Sequence, residues 1–183
     1  MNKSKVKIIE TAIDLLQERG INGFSFSDVA EIVGIKKASI FYYFSSKLDL
    51  VKEALDYYNT QFFKELNRRN QESKSLIDFL TSYCSLYEDN LKNNKICLCS
   101  MLITESFSLN ESLIQEINNF FNRNIEWLES TFNSFIADRE ISKLNANQFL
   151  VTVQGVQIIS RSLGDIAYFN KITSQKINNI EIN

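Results

Sequence analysis

The chain has no histidine and no proline, and only five glycines, three cysteines and one tryptophan among 183 residues. Without histidine there is no imidazole to act as a general base or metal ligand, and scattered glycines cannot build the loops that cradle phosphates in nucleotide-using enzymes. An enzyme therefore has little to stand on, and neither a metal nor a cofactor is expected. Three cysteines form no paired framework, which suits a reducing compartment. No run is apolar for the ~20 residues of a membrane span, and MNKSKVKIIE carries no apolar leader segment, so a cytoplasmic protein with no membrane partner is expected.

The chain is 44% apolar, enough to bury a core without metal or disulfide staples, in one large domain or two small ones. Its net charge of −2 hides an asymmetry. Residues 1–47 carry 7 Lys+Arg against 5 Asp+Glu, while residues 48–183 carry 13 against 17. This basic bias is modest and does not by itself predict nucleic-acid binding. Spacing carries that inference.

The stretch Phe24 to Leu50, FSFSDVAEIVGIKKASIFYYFSSKLDL, is punctuated like a helix-turn-helix followed by a third helix. Ser25 with Asp28 three residues on offers a capping box for a helix from Phe26, buried through Phe26, Val29, Ala30 and Val33. Gly34 supplies a left-handed helix end, and Ile35 plugs the corner between the helices. A second helix from Lys37 to Phe44 sets Ile40 and Phe44 on one face, which turns Ala38, Ser39, Tyr42 and Tyr43 elsewhere. Ser45 and Ser46 cap a third, whose first turn carries Lys47 where the macrodipole prefers an anion; a phosphate there would explain it.

The run Gly34, Ile35, Lys36, Lys37, Ala38, Ser39, Ile40, Phe41, Tyr42, Tyr43, Phe44, Ser45, Ser46, Lys47 resembles the head of the TetR-like (AcrR-like) bacterial transcription factors. Two positions depart from that pattern: Lys36 stands where the family favours a small capping residue, and Phe41 lacks a tyrosine hydroxyl. The resemblance implies an all-α fold of about nine helices, with a head over residues 1–47 and a ligand-binding, dimerising body over 48–183, joined by a connecting helix at about 47–69. It also implies a homodimer on a pseudo-palindromic double-stranded operator, most simply a repressor released by a small hydrophobic inducer. Tyr42 and Tyr43 become DNA contacts, with packing against the connecting helix as the bland alternative. Lys36, Lys37 and Ala38 lie at the end of the recognition helix that reaches base edges. Ser25, Ser27, Ser39 and Lys47 are candidates for phosphate, although each serine is also a plausible cap. Lys3, Lys5 and Lys7 lie at or before the start of the first helix, near the backbone or simply solvated.

Outside the head the pattern stays helical. Val6, Ile9, Ile13 and Leu16 recur at helical steps up to Gly20, and Leu50 to Leu66 continue the connecting helix. Further helices are expected from Leu76 to Leu91, Leu98 to Phe107, Asn110 to Asp138, Asn145 to Leu163 and, after Gly164 and Asp165, to about Ile180. The Asn145 to Leu163 helix is apolar on most sides, so Phe149, Val153, Val156 and Ile159 are expected to form the dimer face. Tyr83, Tyr87, Met101, Glu105, Phe120, Phe121, Trp127 and Gln154 are expected to wall a pocket for a neutral or cationic apolar ligand, unless they merely pack the body. Cys97 and Cys99 form a C-x-C: core filler, or a thiol sensor of electrophiles. An all-helical protein-interaction module remains the alternative class.

Overall fold

The computed structural model describes residues 2–71 and 73–180 of the chain. Among these residues there are nine α-helices, one short 3₁₀ turn and no strand. They are α1 (Lys3–Arg19), α2 (Phe26–Val33), α3 (Lys37–Phe41), α4 (Lys47–Asn70), α5 (Leu76–Lys92), α6 (Leu98–Ile103), the 3₁₀ turn Ser106–Ser108, α7 (Glu111–Asn133), α8 (Arg139–Leu163) and α9 (Ile166–Asn178).

The local chemistry accounts for most boundaries. Ser25 and Asp28 form the capping box of α2, the Ser25 hydroxyl accepting the Ser27 N–H and the Asp28 carboxylate accepting the Ser25 N–H at 2.7 Å. Gly34 closes the same helix in the left-handed region at φ 79°, where a Cβ is disfavoured. Asp165 accepts the Tyr168 N–H to start α9, and Asp138 accepts those of Glu140 and Ile141 to start α8.

Four boundaries differ from the sequence reading. α3 stops at Phe41 because the Ile40 carbonyl takes the N–H groups of both Tyr43 and Phe44, tightening the chain into a turn. α6 ends at Ile103, with the 3₁₀ turn after it, where one helix to Phe107 was expected. α7 ends at Asn133, making it about 35 Å long at ~1.5 Å per residue. α8 begins six residues earlier than Asn145, because Asp138 caps it and Ser142 and Ala146 are buried.

The helices gather into two compact units: residues 1–62 with 97–118, and residues 63–96 with 119–183. This packing division falls elsewhere than the expected 47/48 division between reading head and body. The first unit holds α1 to α3, where α1 packs on α2 and α6, and α2 on α3. Ile8, Ile9, Ala12, Leu16, Val29, Ile40, Leu50, Val51 and Leu102 form its dry interior. In the second unit α5, α8 and α9 pack on one another around Leu80, Tyr83, Tyr87, Phe149, Val153 and Phe169. At about 25 cal/mol per Å² of apolar area removed from water, such cores are the main source of stability in both units.

Candidate nucleic-acid interface

α3 is buried on one side only. Ile40 is wholly covered and Phe44 nearly so, while Lys36, Lys37, Ala38 and Ser39 are exposed and Tyr42 stands 84% exposed. With Phe41, itself 53% exposed, it forms an aromatic surface that the chain leaves uncovered. Tyr43 is half-buried, its ring edge-on to Tyr42 at 5.0 Å and its hydroxyl within 3.3 Å of the Asn2 side-chain amide, which donates to it. Lys36 precedes α3 with no side-chain cap, and its carbonyl accepts the Ser39 N–H at 2.8 Å.

Beside α3 lies a shallow cleft of about 300 Å³ lined by Phe24, Ser25, Phe26, Lys37, Phe41, Ser46 and Lys47. Two ammonium groups, two hydroxyls and an aromatic floor suit the sugar-phosphate backbone, which hydroxyls and lysines bind without reading sequence. Phe41, the residue without the family hydroxyl, packs edge-on against Phe26 at 5.0 Å. Ser25 and Ser27 are both exposed at the start of α2, Ser25 as its cap. Asp28 is held below the usual carboxylate range by the Ser25 hydroxyl and N–H, so it stays anionic beside this end of α2.

Lys47 does not project from the surface. Its ammonium donates to the Phe24 carbonyl at 2.5 Å and lies 4.3 Å from the Phe24 ring centroid. Burial lowers its pKa, and the charges of Glu105 and Asp28 push it back up. Of the lysines of α1, Lys5 pairs with Glu53 at 2.9 Å and Lys7 donates to the Val33 carbonyl, while Lys3 is exposed.

Comparison with known proteins decides the family. A family model described as bacterial regulatory proteins, tetR family, matches residues 8–54, the stretch from α1 into α4. A Staphylococcus aureus (strain Newman) protein named as the biofilm operon icaADBC HTH-type negative transcriptional regulator IcaR is 31% identical over 144 residues, spanning 72% of this chain and 77% of the relative. The chain belongs to the TetR family. Solved structures agree: a TetR-family regulator from Agrobacterium tumefaciens superposes with a TM-score of 0.87 at 26% identity over 97% of both chains. A TetR regulator from Legionella pneumophila does so with a TM-score of 0.87 at 28% identity over 99% of both. This chain is a TetR-family transcriptional regulator, a DNA-binding class and not an enzyme class.

The residues expected to wall a ligand pocket are divided between the two units. Tyr83, Tyr87, Phe120, Phe121, Trp127 and Gln154 lie in the second unit, Met101 and Glu105 in the first. Tyr83 and Tyr87 are wholly buried and hydroxyl to hydroxyl at 2.9 Å; the Tyr83 hydroxyl also donates to the Asn124 side-chain carbonyl, and the Gln154 amide donates to the Tyr87 hydroxyl at 3.2 Å. Tyr83 stacks on Trp127 at 6.0 Å, and Phe120 meets Phe121 edge-on. The wall is therefore a hydrogen-bonded aromatic cluster, more polar than the sequence suggested. Asn124 and Gln157 belong to it and were missed, since polar residues inside an amphipathic pattern read as surface. Next to it a cavity of about 150 Å³ is lined by Asn70, Phe79, Trp127, Ser130, Thr131, Ser134 and Phe135.

Glu105 lies in the first unit, where its carboxylate accepts the Ile21 N–H. Of the residues expected on a dimer face, Phe149, Val153 and Val156 are covered by the chain itself, because the inward side of α8 packs on α5 and α9. Of the four expected residues only Ile159 is exposed, alongside Val151, Ile158 and Leu163.

Cys97 and Cys99 are both wholly buried. Burial pushes Cys99 well above the usual thiol range. Burial opposes ionisation of Cys97 too, but the Cys99 thiol, the Ser100 N–H and the Tyr58 hydroxyl aim at its sulfur and bring it to about 6. Lacking a surface, neither sulfur is open to a bulky electrophile, so the thiol-sensor alternative gains no support from their placement.

Proposed function

We propose that this protein is a homodimeric repressor that grips a pseudo-palindromic operator through α3 and releases it when a small apolar molecule enters the second unit. The observation that carries the reading is Tyr42, exposed on a helix whose opposite side is fixed by Ile40 and Phe44, beside a cleft furnished with Lys37, Lys47, Ser25 and Ser46. A single α3 of five residues reads few base pairs, so two copies on adjacent half-sites are required for affinity. Val151, Ile158, Ile159 and Leu163 recur at helical spacing on the outer side of α8 and supply an apolar face for the second copy. Repression as the sign of regulation is supported by the relatives named as negative transcriptional regulators.

For the effector, the 150 Å³ cavity beside Trp127 has aromatic walls, and the side-chain oxygen of Asn70 is buried there without a hydrogen-bond partner. A neutral or cationic molecule of a few heavy atoms with one donor fits that chemistry better than a polyanion.

The test is binding to a duplex that the protein itself selects from a randomised pool. Affinity should fall steeply and linearly on a log-log plot as salt rises, and protected half-sites should be centred about ten base pairs apart or a small multiple. A flat salt response, or tight binding by a demonstrated monomer, contradicts the reading.

A further inference from the structure

The turn between α1 and α2, residues 20–24, sets where the helix-turn-helix begins, and it is held from two sides by groups far away in sequence. On one side is Glu105, at the corner where α6 ends and the 3₁₀ turn starts. One carboxylate oxygen accepts the Ile21 N–H at 2.5 Å, and the other lies 3.5 Å from the Asn22 side-chain amide. That amide donates in turn to the Ser108 hydroxyl at 2.9 Å, so both ends of the 3₁₀ turn are tied to Asn22, and the Glu105 end to Ile21 as well. On the other side Lys47, the first residue of α4, donates to the Phe24 carbonyl. Glu105 and Lys47 also attract one another across the turn.

Gly20 leaves room for this approach. Its φ is 74°, and a Cβ placed there would stand 2.5 Å from one Glu105 carboxylate oxygen and 2.8 Å from the carboxylate carbon. Only glycine both adopts that conformation readily and leaves room for the carboxylate. No other carboxylate occurs between Asn90 and Asn110, and this one is spent on a main-chain N–H 84 residues away in sequence.

We propose that Glu105 is a positioning residue for DNA binding: its carboxylate clasps the 20–24 turn to the end of α6, fixing where α2 and α3 present themselves and steadying Lys47 on the inner side of the cleft. A hydrogen bond from a main-chain N–H to a carboxylate is charge-assisted and short, so the clasp transmits displacement instead of absorbing it. A shift at the end of α6 moves Ile21 with it. The inference rests on DNA binding through α3 and adds to it the residue that governs the pose of the head.

The experiment compares the unaltered protein with Glu105→Ala and Glu105→Gln, using a duplex selected from a randomised pool by the unaltered protein. Glu105→Ala is expected to speed exchange of the Ile21 amide hydrogen and to weaken duplex binding, each about tenfold, as loss of a charge-assisted bond implies. The salt dependence of binding stays as it was, because no phosphate contact is removed. Glu105→Gln keeps a neutral acceptor and restores most of the affinity. Unchanged Ile21 exchange in Glu105→Ala overturns the clasp, and faster exchange with unaltered affinity overturns its role in DNA binding. Should Glu105→Ala fail to fold, Glu105→Gln decides alone: severalfold faster Ile21 exchange supports the clasp, and an unchanged rate overturns it. If the unaltered protein selects no duplex, the DNA reading itself falls, while the exchange measurement still tests the clasp.

Discussion

Two tyrosines set the ends of a scale in this molecule. Tyr42 leaves 84% of its surface in water, while Tyr83 leaves none, and its hydroxyl is shared between Tyr87 and Asn124. A buried tyrosine with a satisfied hydroxyl contributes to folding, and one displayed on a rigid helix contributes to recognition. The difference teaches that α3 displays the residue type that the interior of α5, α7 and α8 conceals, so under the proposed reading of α3 substitution should separate stability from binding cleanly.

The strongest way to break that contrast is Tyr83→Ala, which should lower the unfolding free energy by about 3–5 kcal/mol, read by urea denaturation. A loss under 1 kcal/mol would mean the interior is loose enough to collapse around the gap. Charging the outer side of α8 comes next: Ile158→Glu should shift sedimentation toward monomer, since an unpaired charge in a dimer core costs about 3–5 kcal/mol, with duplex affinity falling in step. An unaltered dimer moves the interface off α8. Removing only the hydroxyl with Tyr83→Phe leaves the Asn124 oxygen without its donor and should cost about 1–3 kcal/mol in the same denaturation experiment.

Tyr42→Ala sharpens the comparison from the other end. Its effect on stability should stay within about 0.5 kcal/mol, as for ordinary surface positions, while binding to the selected duplex weakens severalfold or more. Lost thermal cooperativity in that variant would show that Tyr42 packs after all. The smallest effect concerns Glu65, which the Arg68 and Arg69 guanidinium groups hold at about 2, down from the usual 4.5. A carboxylate depressed in the folded state adds stability above its unfolded pKa and loses it as pH falls from about 4.5 through 2. Glu65→Gln should therefore flatten a slight decline in stability over that window, and added salt should shrink the difference, because the group lies at the surface.

The same scale separates what could be read in the sequence from what could not. Ser25 with Asp28, Gly34 and the Ile40/Phe44 pair are all relations within a few residues, and each appears in the structure as its spacing implied. The candidate reading surface was legible for this reason, since the buried side of a short helix follows from four-residue steps and the exposed side is what remains. Glu105 was not legible. Its isolation in an apolar stretch signalled a partner, yet nothing local could name Ile21. Lys47 pointing at Phe24, the Tyr83–Asn124 bond and the covering of Phe149 and Val153 are of the same kind.

By itself, then, the sequence determined the helices, their caps and the display of Tyr42, because those depend on backbone geometry and on neighbours one turn away. Only the tertiary structure decided which apolar side of α8 is consumed by its own chain, which carboxylate holds the 20–24 turn, and which tyrosine hydroxyls are shared in the interior. Those outcomes depend on which distant groups meet once water is excluded, and burial makes each such meeting obligatory for a polar group without making its partner readable in advance.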